Sequence, residues 1–399
     1  MALEKRREII MNKLTLDYLE LKSSVDSGDT KKEDIINCGD GAYEIIRNAP
    51  RADFDALVSE VSKKGTVAFD SEMAGNRFCG ISHDLGYTYL FYDKTSDRVG
   101  ILYSKDGVLA PTELGEKKAY AGQKSLTQVT PTTSEKNYGM CYLLSLGEGH
   151  FIVYDGNGDN SNDDERLFDY MRKGTEEGKK PIIDVWVATH PHWDHLAGFA
   201  KFSEKYKDEL ELKNILFNFP SLDVPYVESD KKDYERSVNI WMPAVYKSFP
   251  QAKAYKVHAG QNFNVGDVRI EVLYTHENIY PHSKLEANDT SVITRAYINS
   301  KTIFFSADIS GYKVCRLLHD MYGSYFKSDV FQVAHHGWNS ESIEFYYDVD
   351  PEIVVWPNFD CDWDGIKELN TTKQLIAEYN EGKRKFYVAN GKDDTILFI

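Results

Sequence analysis

Short apolar runs and amphipathic stretches alternate along this chain, and their spacing predicts a mixed architecture. Near the start, a charged helical pattern over Leu3–Leu21 leads into a polar stretch, Ser23–Glu33, and a second helix is expected over Asp53–Lys63. Strand-like runs follow at Thr66–Phe69, Tyr87–Tyr92 and Val99–Tyr103. The last two are separated by turn residues, Asp93 to Arg98, and read as a hairpin. Pro111–Lys124 is polar, carries Gly115 and Gly122, and reads as a linker. Beyond it, strands are expected at Met140–Leu146 and Phe151–Asp155 around a Gly-Glu-Gly turn, then at Ile182–Val187, an apolar run short enough to be a buried strand. Leu196–Leu210 has Leu196, Phe199, Phe202 and Tyr206 along one side and reads as an amphipathic helix.

The alternation continues. Asn214–Phe219 is strand-like, and Asp233–Phe249 is helical with Pro243 expected to kink or divide it. Val268–Tyr274 places Val268, Ile270 and Val272 on one face and begins a second β layer. Asn288–Ile293 opens another strand, Thr302–Asp308 forms the next, and Asp329–Ala334 holds a further apolar one. Strands alternating with helices indicate an α/β fold. With 399 residues two domains are the natural expectation, an N-terminal α+β domain at 1–125 and a second at 126–399.

Composition narrows the function classes. The net charge of −16 argues against a broad nucleic-acid-binding face, which needs basic surface. No run of apolar residues is long enough for a membrane span, and the charged N-terminus does not resemble a signal peptide. Five scattered cysteines suit neither a disulfide framework nor a Cys-x-x-Cys metal site, so a reducing, cytoplasmic setting is expected.

The chemistry is concentrated at His190-Pro191-His192-Trp193-Asp194-His195, three imidazoles and a carboxylate in six positions between a strand and a helix. At the carboxyl end of a strand, alternate residues can converge on one point, so His190 and His192 can share a cation while Asp194 and His195 turn toward a second. Neutral imidazole and carboxylate are ligands of Zn²⁺ and similar ions. A histidine-rich surface loop, or histidines capping the helix, is the bland alternative.

His-x-His-x-Asp-His at this position resembles the metallo-β-lactamase superfamily, over roughly residues 126 to 399. The resemblance implies an αββα sandwich in the C-terminal two thirds and hydrolysis of esters, amides, thioesters or phosphodiesters with one or two metal ions. Asp155, in an Asp-Gly at a strand end, matches a carboxylate that supports the metal loop from behind. Asp308, ending a strand, matches the carboxylate that bridges both ions, although it could also cap a helix over Ile309–Leu318. In His335-His336-Gly337, His336 is expected as the ligand of the second ion and His335 as the residue facing substrate or carrying a proton. Trp338, Asn339 and Ser340 continue that loop toward the mouth, Trp338 packing on a substrate or in the core. A third histidine for the first ion is not cleanly provided: His258, His276 and His282 are candidates, His276 foremost, with Asn288 and Asp289 as alternatives.

The Asn288-x-x-Ser291 strand, followed by one ending in Ala307-Asp308, resembles the branch holding the competence-protein hydrolase domain and the phosphorylcholine esterases. Asn288 matches a position facing substrate there. The implied activity is metal-dependent hydrolysis of a phosphodiester or phosphoester at a dinuclear site, with Asp194 orienting the nucleophile. Two divalent ions are implied, zinc first, with manganese and iron compatible. The partner is then a small-molecule or phosphoester substrate. A lactonase, thioesterase or amidase of the same fold is the alternative within enzymes. A binding protein that kept the fold without turnover is the alternative outside them.

Overall fold

The computed structural model describes residues 36–37, 41–105, 107–131, 139–160, 162–220, 228–279, 285–310, 312–338, 343–357, 364–384, 386–388 and 394–399. The helix expected at Leu3–Leu21, the polar stretch Ser23–Glu33, His282, Asn339 and Ser340 lie outside the described residues. The chain divides into two compact units, Met1–Leu109 and Ala110–Ile399.

The first unit is a six-stranded antiparallel sheet in the order Ile36–Asn37, Gly41–Ile46, Arg98–Lys105, Gly86–Asp93, Asn76–His83, Thr66–Met73. Its hairpin pairs Tyr92 with Val99, and the Asp93 carboxylate accepts from Thr95 N and Ser96 Oγ to close the turn. The helix Arg51–Ser62 lays Phe54 and Leu57 on Cys79, Ile81, Leu90 and Val99. The strands at Gly41–Ile46 and Asn76–His83 went unread in the sequence. Asn76, Arg77 and Gly80 break the apolar pattern of the second.

Two seven-stranded sheets with helices form the second unit, as the α/β sandwich expectation requires. One sheet runs Lys253–Lys256, Glu211–Phe217, Ile182–Ala188, His150–Asp155, Cys141–Gly147, Ser125–Gln128, Thr395–Phe398. The other runs Asn262–Val265, Val268–Tyr274, Ile293–Ile298, Lys301–Phe305, Val330–Gln332, Ile353–Val355, Phe386–Val388. Alternate residues of both sheets, among them Leu144, Tyr154, Val187, Leu216, Ile270, Ala296 and Phe305, form one buried cluster. Tyr154 stacks on Phe305 with ring centroids 3.8 Å apart, joining the sheets. The remaining face of each sheet is also covered. Trp186 stacks on Phe199 of the helix Trp193–Tyr206, and Phe331 packs on Phe345 and Tyr346 of the helix Ile343–Val349. Ile182–Ala188 is covered on both faces and reads as a near-continuous apolar run, whereas Val268–Tyr274 and Ile293–Ile298 alternate and carry Glu271 and Arg295 on the face away from the core cluster. Each large side chain buried there contributes about 1.5–3 kcal/mol.

The segment read as a linker, 111–124, instead packs into this second unit. Leu114 and Tyr120 belong to its core, and Leu114 N donates to Asn264 O. The expected helix over Asp233–Phe249 is three pieces: Glu228–Arg236, one π turn at Ser237–Trp241, and Met242–Ser248 with Pro243 in its first turn. Proline is tolerated there because a first-turn N–H needs no partner within the helix. No helix among the described residues is long and apolar enough to cross a membrane.

Candidate metal centre

Four chain segments bring polar groups to one edge of the sandwich, each at the carboxyl end of a strand: Asp155, the run 190–195, Asp308, and His335 with His336. Ligands collect at the carboxyl ends of strands in open α/β sheets. These segments carry unusual backbone. Asp155, Ala307, His335 and His336 have φ of 53°, 50°, 48° and 55°. Non-glycine residues hold such left-handed conformations at a cost of about 1–3 kcal/mol and cluster at functional sites.

The helix Trp193–Tyr206 begins three residues before its apolar pattern, so Asp194 and His195 sit in its first turn and His192 takes the N-cap position without a capping side-chain bond. Close approach of this helix to the end of the strand His150–Asp155 depends on two glycines. A Cβ on Gly198 would lie 2.1 Å from Gly156 O, and one on Gly156 would lie 2.5 Å from Phe199 Cβ. That contact sets Asp155 beneath His195, whose Nδ1 is 2.6 Å from Asp155 Oδ2. Asp155 also accepts from Thr189 N at 2.8 Å and Thr189 Oγ1 at 2.7 Å. On the other sheet, His336 Nδ1 donates to Pro357 O at 2.6 Å. Each of these partners occupies Nδ1 and leaves Nε2 to face inward.

Those inward atoms converge. One ligand atom from each of Asp194, His195, Asp308 and His336 lies within 4.8 Å of all the others. Asp308 Oδ2 stands 3.1 Å from both His195 Nε2 and His336 Nε2, and 4.0 Å from His190 Nε2. Asp194 Oδ2 stands 3.1 Å from His336 Nε2. His190 Nε2 and His192 Nδ1 are 3.1 Å apart. Yet His195 Nε2 and Asp308 Oδ1 are buried and make no aligned hydrogen bond among the described residues. Imidazole nitrogens and carboxylate oxygens gathered this closely could hold a cation between them.

Electrostatics agrees. Burial opposes charge on Asp308, but His195 and His336 hold it well below the usual carboxylate range. Burial likewise opposes protonation of His336, yet Asp308 and Asp194 raise it to about 10. Burial also disfavours a charged His195, and Asp308, Asp155 and Asp194 outweigh it. His190 is driven the other way, by burial and then by His195 and His192, so it stays neutral. Without a cation the cluster must hold its carboxylates with imidazolium. A divalent ion replaces those protons, and the donor set of imidazole and carboxylate suits Zn²⁺, Mn²⁺ or Fe²⁺.

Residues 135–344, just over half of the chain, match the sequence profile of the metallo-β-lactamase superfamily. The chain belongs to that superfamily. No curated protein matches the sequence. Among solved structures, similarity extends to CmlA, a diiron β-hydroxylase from Streptomyces venezuelae, at 12% identity over 70% of this chain and 55% of that one, with a TM-score of 0.42. This chain therefore spans about half of CmlA. Similarity to the short form of human tRNase Z is 13% over 68% of this chain and 98% of that one, with a TM-score of 0.33.

Within this metallo-β-lactamase unit, His190, His192, Asp194, His195, Asp308 and His336 meet at one place, with Asp155 behind His195. Asn288 is also brought there: its Nδ2 lies 3.3 Å from His335 Nε2. Trp338 is half-buried at the end of the His335–His336 turn. His276 is not among the gathered donors. It lies buried with Glu277, His258 and Asn218, where burial lowers its pKa to about 4. The reason is strand order. Val268–Tyr274, which leads to His276, is separated from Lys301–Phe305 by Ile293–Ile298, whereas Asn288 leads into that intervening strand. Two supports escaped the sequence reading, Thr189 and the Pro357 carbonyl; Ser291, read there only as part of the Asn288-x-x-Ser291 strand, accepts from Asp308 N through its Oγ at 3.2 Å. The glycine pair Gly156 and Gly198 was a visible signal of close helix–strand contact.

Proposed function

We propose that this chain is a metal-dependent hydrolase with two unequal cation sites, acting on a phosphodiester or phosphoester. The observation that carries the reading is the convergence of Asp194, His195, Asp308 and His336 within 4.8 Å, with buried donor atoms left unaligned toward one another. Asp194, His195 and His336 would hold one ion, His190 and His192 the other, and Asp308 both. The His190–His192 set lacks a third histidine, so its ion would be held more loosely. Zinc is the first expectation for these ligands, with manganese and iron also compatible.

Divalent ions so held would polarise a substrate oxygen and lower the pKa of water there to about 7. The chain supplies the rest. Asp155 fixes the ring of His195 through Nδ1, and Pro357 O fixes that of His336. Asn288 Nδ2 meets His335 Nε2 and holds that ring at the site, where it can pass a proton at the leaving group. Burial lowers the pKa of His335, so the ring is neutral near pH 7 and would take up a proton before passing it on. Support for phosphate comes from the Asn288-x-x-Ser291 and Ala307-Asp308 resemblance to the competence-protein and phosphorylcholine esterase branch.

The test is elemental analysis of protein purified without chelator, followed by assay on bis(p-nitrophenyl) phosphate, p-nitrophenyl phosphate and a p-nitrophenyl ester. Two equivalents of metal and faster cleavage of either phosphate substrate are expected. No uptake even after incubation with zinc, manganese or iron would refute the hydrolase. Faster cleavage of the carboxylic ester would refute the phosphate assignment.

A further inference from the structure

The helix–π–helix arm, Glu228–Ser248, does more than cover a sheet. It is tied at two points to the loops that carry the incomplete half of the metal centre. Ser237 Oγ donates to Pro191 O at 2.8 Å, and Pro191 is the residue between His190 and His192. Asp230 Oδ2 accepts from Ala287 N at 2.8 Å, and Ala287 directly precedes Asn288. Between these clasps, Tyr234 OH donates to Pro220 O and anchors the arm itself.

The backbone of the arm explains the first clasp. A serine inside a helix ordinarily donates to the carbonyl four residues back, and Ser237 does reach Asp233 O at 3.0 Å. Ser237 also begins the single π turn, Ser237–Trp241, and is fully buried there. Single π turns inside α-helices recur at functional sites. Here the turn lies where a buried hydroxyl is shared with the metal loop.

We infer that Ser237 and Asp230 are positioning residues. They hold the His190–His192 loop and the Ala287–Asn288 loop at a set separation, across the half of the site that lacks a third histidine. The inference rests on the dinuclear hydrolase reading. It adds that the missing ligand is offset by bracing from outside the sheets rather than by another side chain. Asp194, His195 and His336, which would hold the second ion, need no such brace, because Asp155 and Pro357 O already orient His195 and His336.

The test compares the full-length chain with the double variant Ser237→Ala/Asp230→Ala, using hydrogen exchange of the metal-free protein and zinc titration against a competing chelator. Removing the clasps should speed exchange in segments 189–192 and 287–291 while leaving 334–338 unchanged. It should weaken the looser zinc about 10- to 100-fold, the range for groups that orient a ligand, and leave the tighter zinc alone. Ser237→Thr/Asp230→Asn, which keeps a hydroxyl and an acceptor oxygen, should restore both readouts. Unchanged exchange and unchanged affinities would overturn the inference, as would loosening that includes 334–338. If the two loops loosen but the wild-type chain takes up fewer than two zinc ions, the dinuclear reading falls and the bracing role stands.

Discussion

Two buried carboxylates in the same unit, Glu271 and Asp308, are treated in opposite ways. Glu271 is fully answered from within. Its Oε2 accepts from Arg295 Nε at 3.1 Å, Arg295 Nη2 at 2.7 Å and Tyr297 OH at 2.9 Å, and its Oε1 accepts from Tyr325 OH at 2.7 Å. Asp308 has an oxygen with no hydrogen-bond partner among the described residues, and its other oxygen faces three imidazole nitrogens. A guanidinium is charged at every working pH, so the Glu271 network is complete as folded. Imidazoles balance a carboxylate only when protonated, and they exchange those protons for a metal. Burial is thus shared by both sites, and the identity of the counter-charge separates a structural network from a site that could take up an ion.

The contrast is broken most severely at Asp308. Asp308→Ala should abolish hydrolysis while the fold persists, read by turnover alongside circular dichroism, and wild-type turnover would refute the bridging role. Glu271→Gln should do the reverse. It leaves Arg295 buried without its counter-charge and should cost about 3–5 kcal/mol in urea denaturation, with metal content unchanged. Loss of metal on that substitution would mean the two regions are not separable. Asp155→Asn should weaken the metal about 10- to 100-fold in a chelator competition, because the group setting the His195 ring is altered. A change smaller than twofold would show that Thr189 and the helix alone orient it.

The smallest expected effect is a pH tilt in the metal-free chain. The His336 pKa rises from 6.5 to about 10 on folding. The folded state then binds the proton more tightly, so this stabilisation is full below pH 6.5 and is lost as pH rises toward 10. Melting temperature of the metal-free protein should fall across that window, and saturating metal should flatten the slope. A decline that survives metal binding would have to arise elsewhere than at His336.

Legibility followed sequence distance. His190, His192, Asp194 and His195 lie in one short run after a buried strand, and their shared purpose shows in the residue order alone. Asp308 and His336 were identified through the superfamily resemblance, since an Asp at a strand end and a His-His-Gly turn each have ordinary explanations. The third histidine was sought at His276, which instead lies in the Glu277–His258–Asn218 network. Neighbours across a sheet depend on strand order, which residue patterns do not encode. Pro357 O and the clasp on Pro191 O were invisible for another reason: every residue has a carbonyl, so a supporting main-chain oxygen leaves no mark in composition.

Residue order by itself determined the alternation of strands and helices, the buried character of the Ile182–Val187 strand, and a candidate metal-ligating run at that strand's carboxyl end. These are local consequences of side-chain period and ligand chemistry. Tertiary structure alone decided which distant acids and histidines meet that run. It also decided that segment 111–124 packs as core, and that His276 stands apart while Asn288 reaches His335. Those outcomes depend on strand order and on how closely a helix approaches a sheet, and both emerge only when the two layers pack.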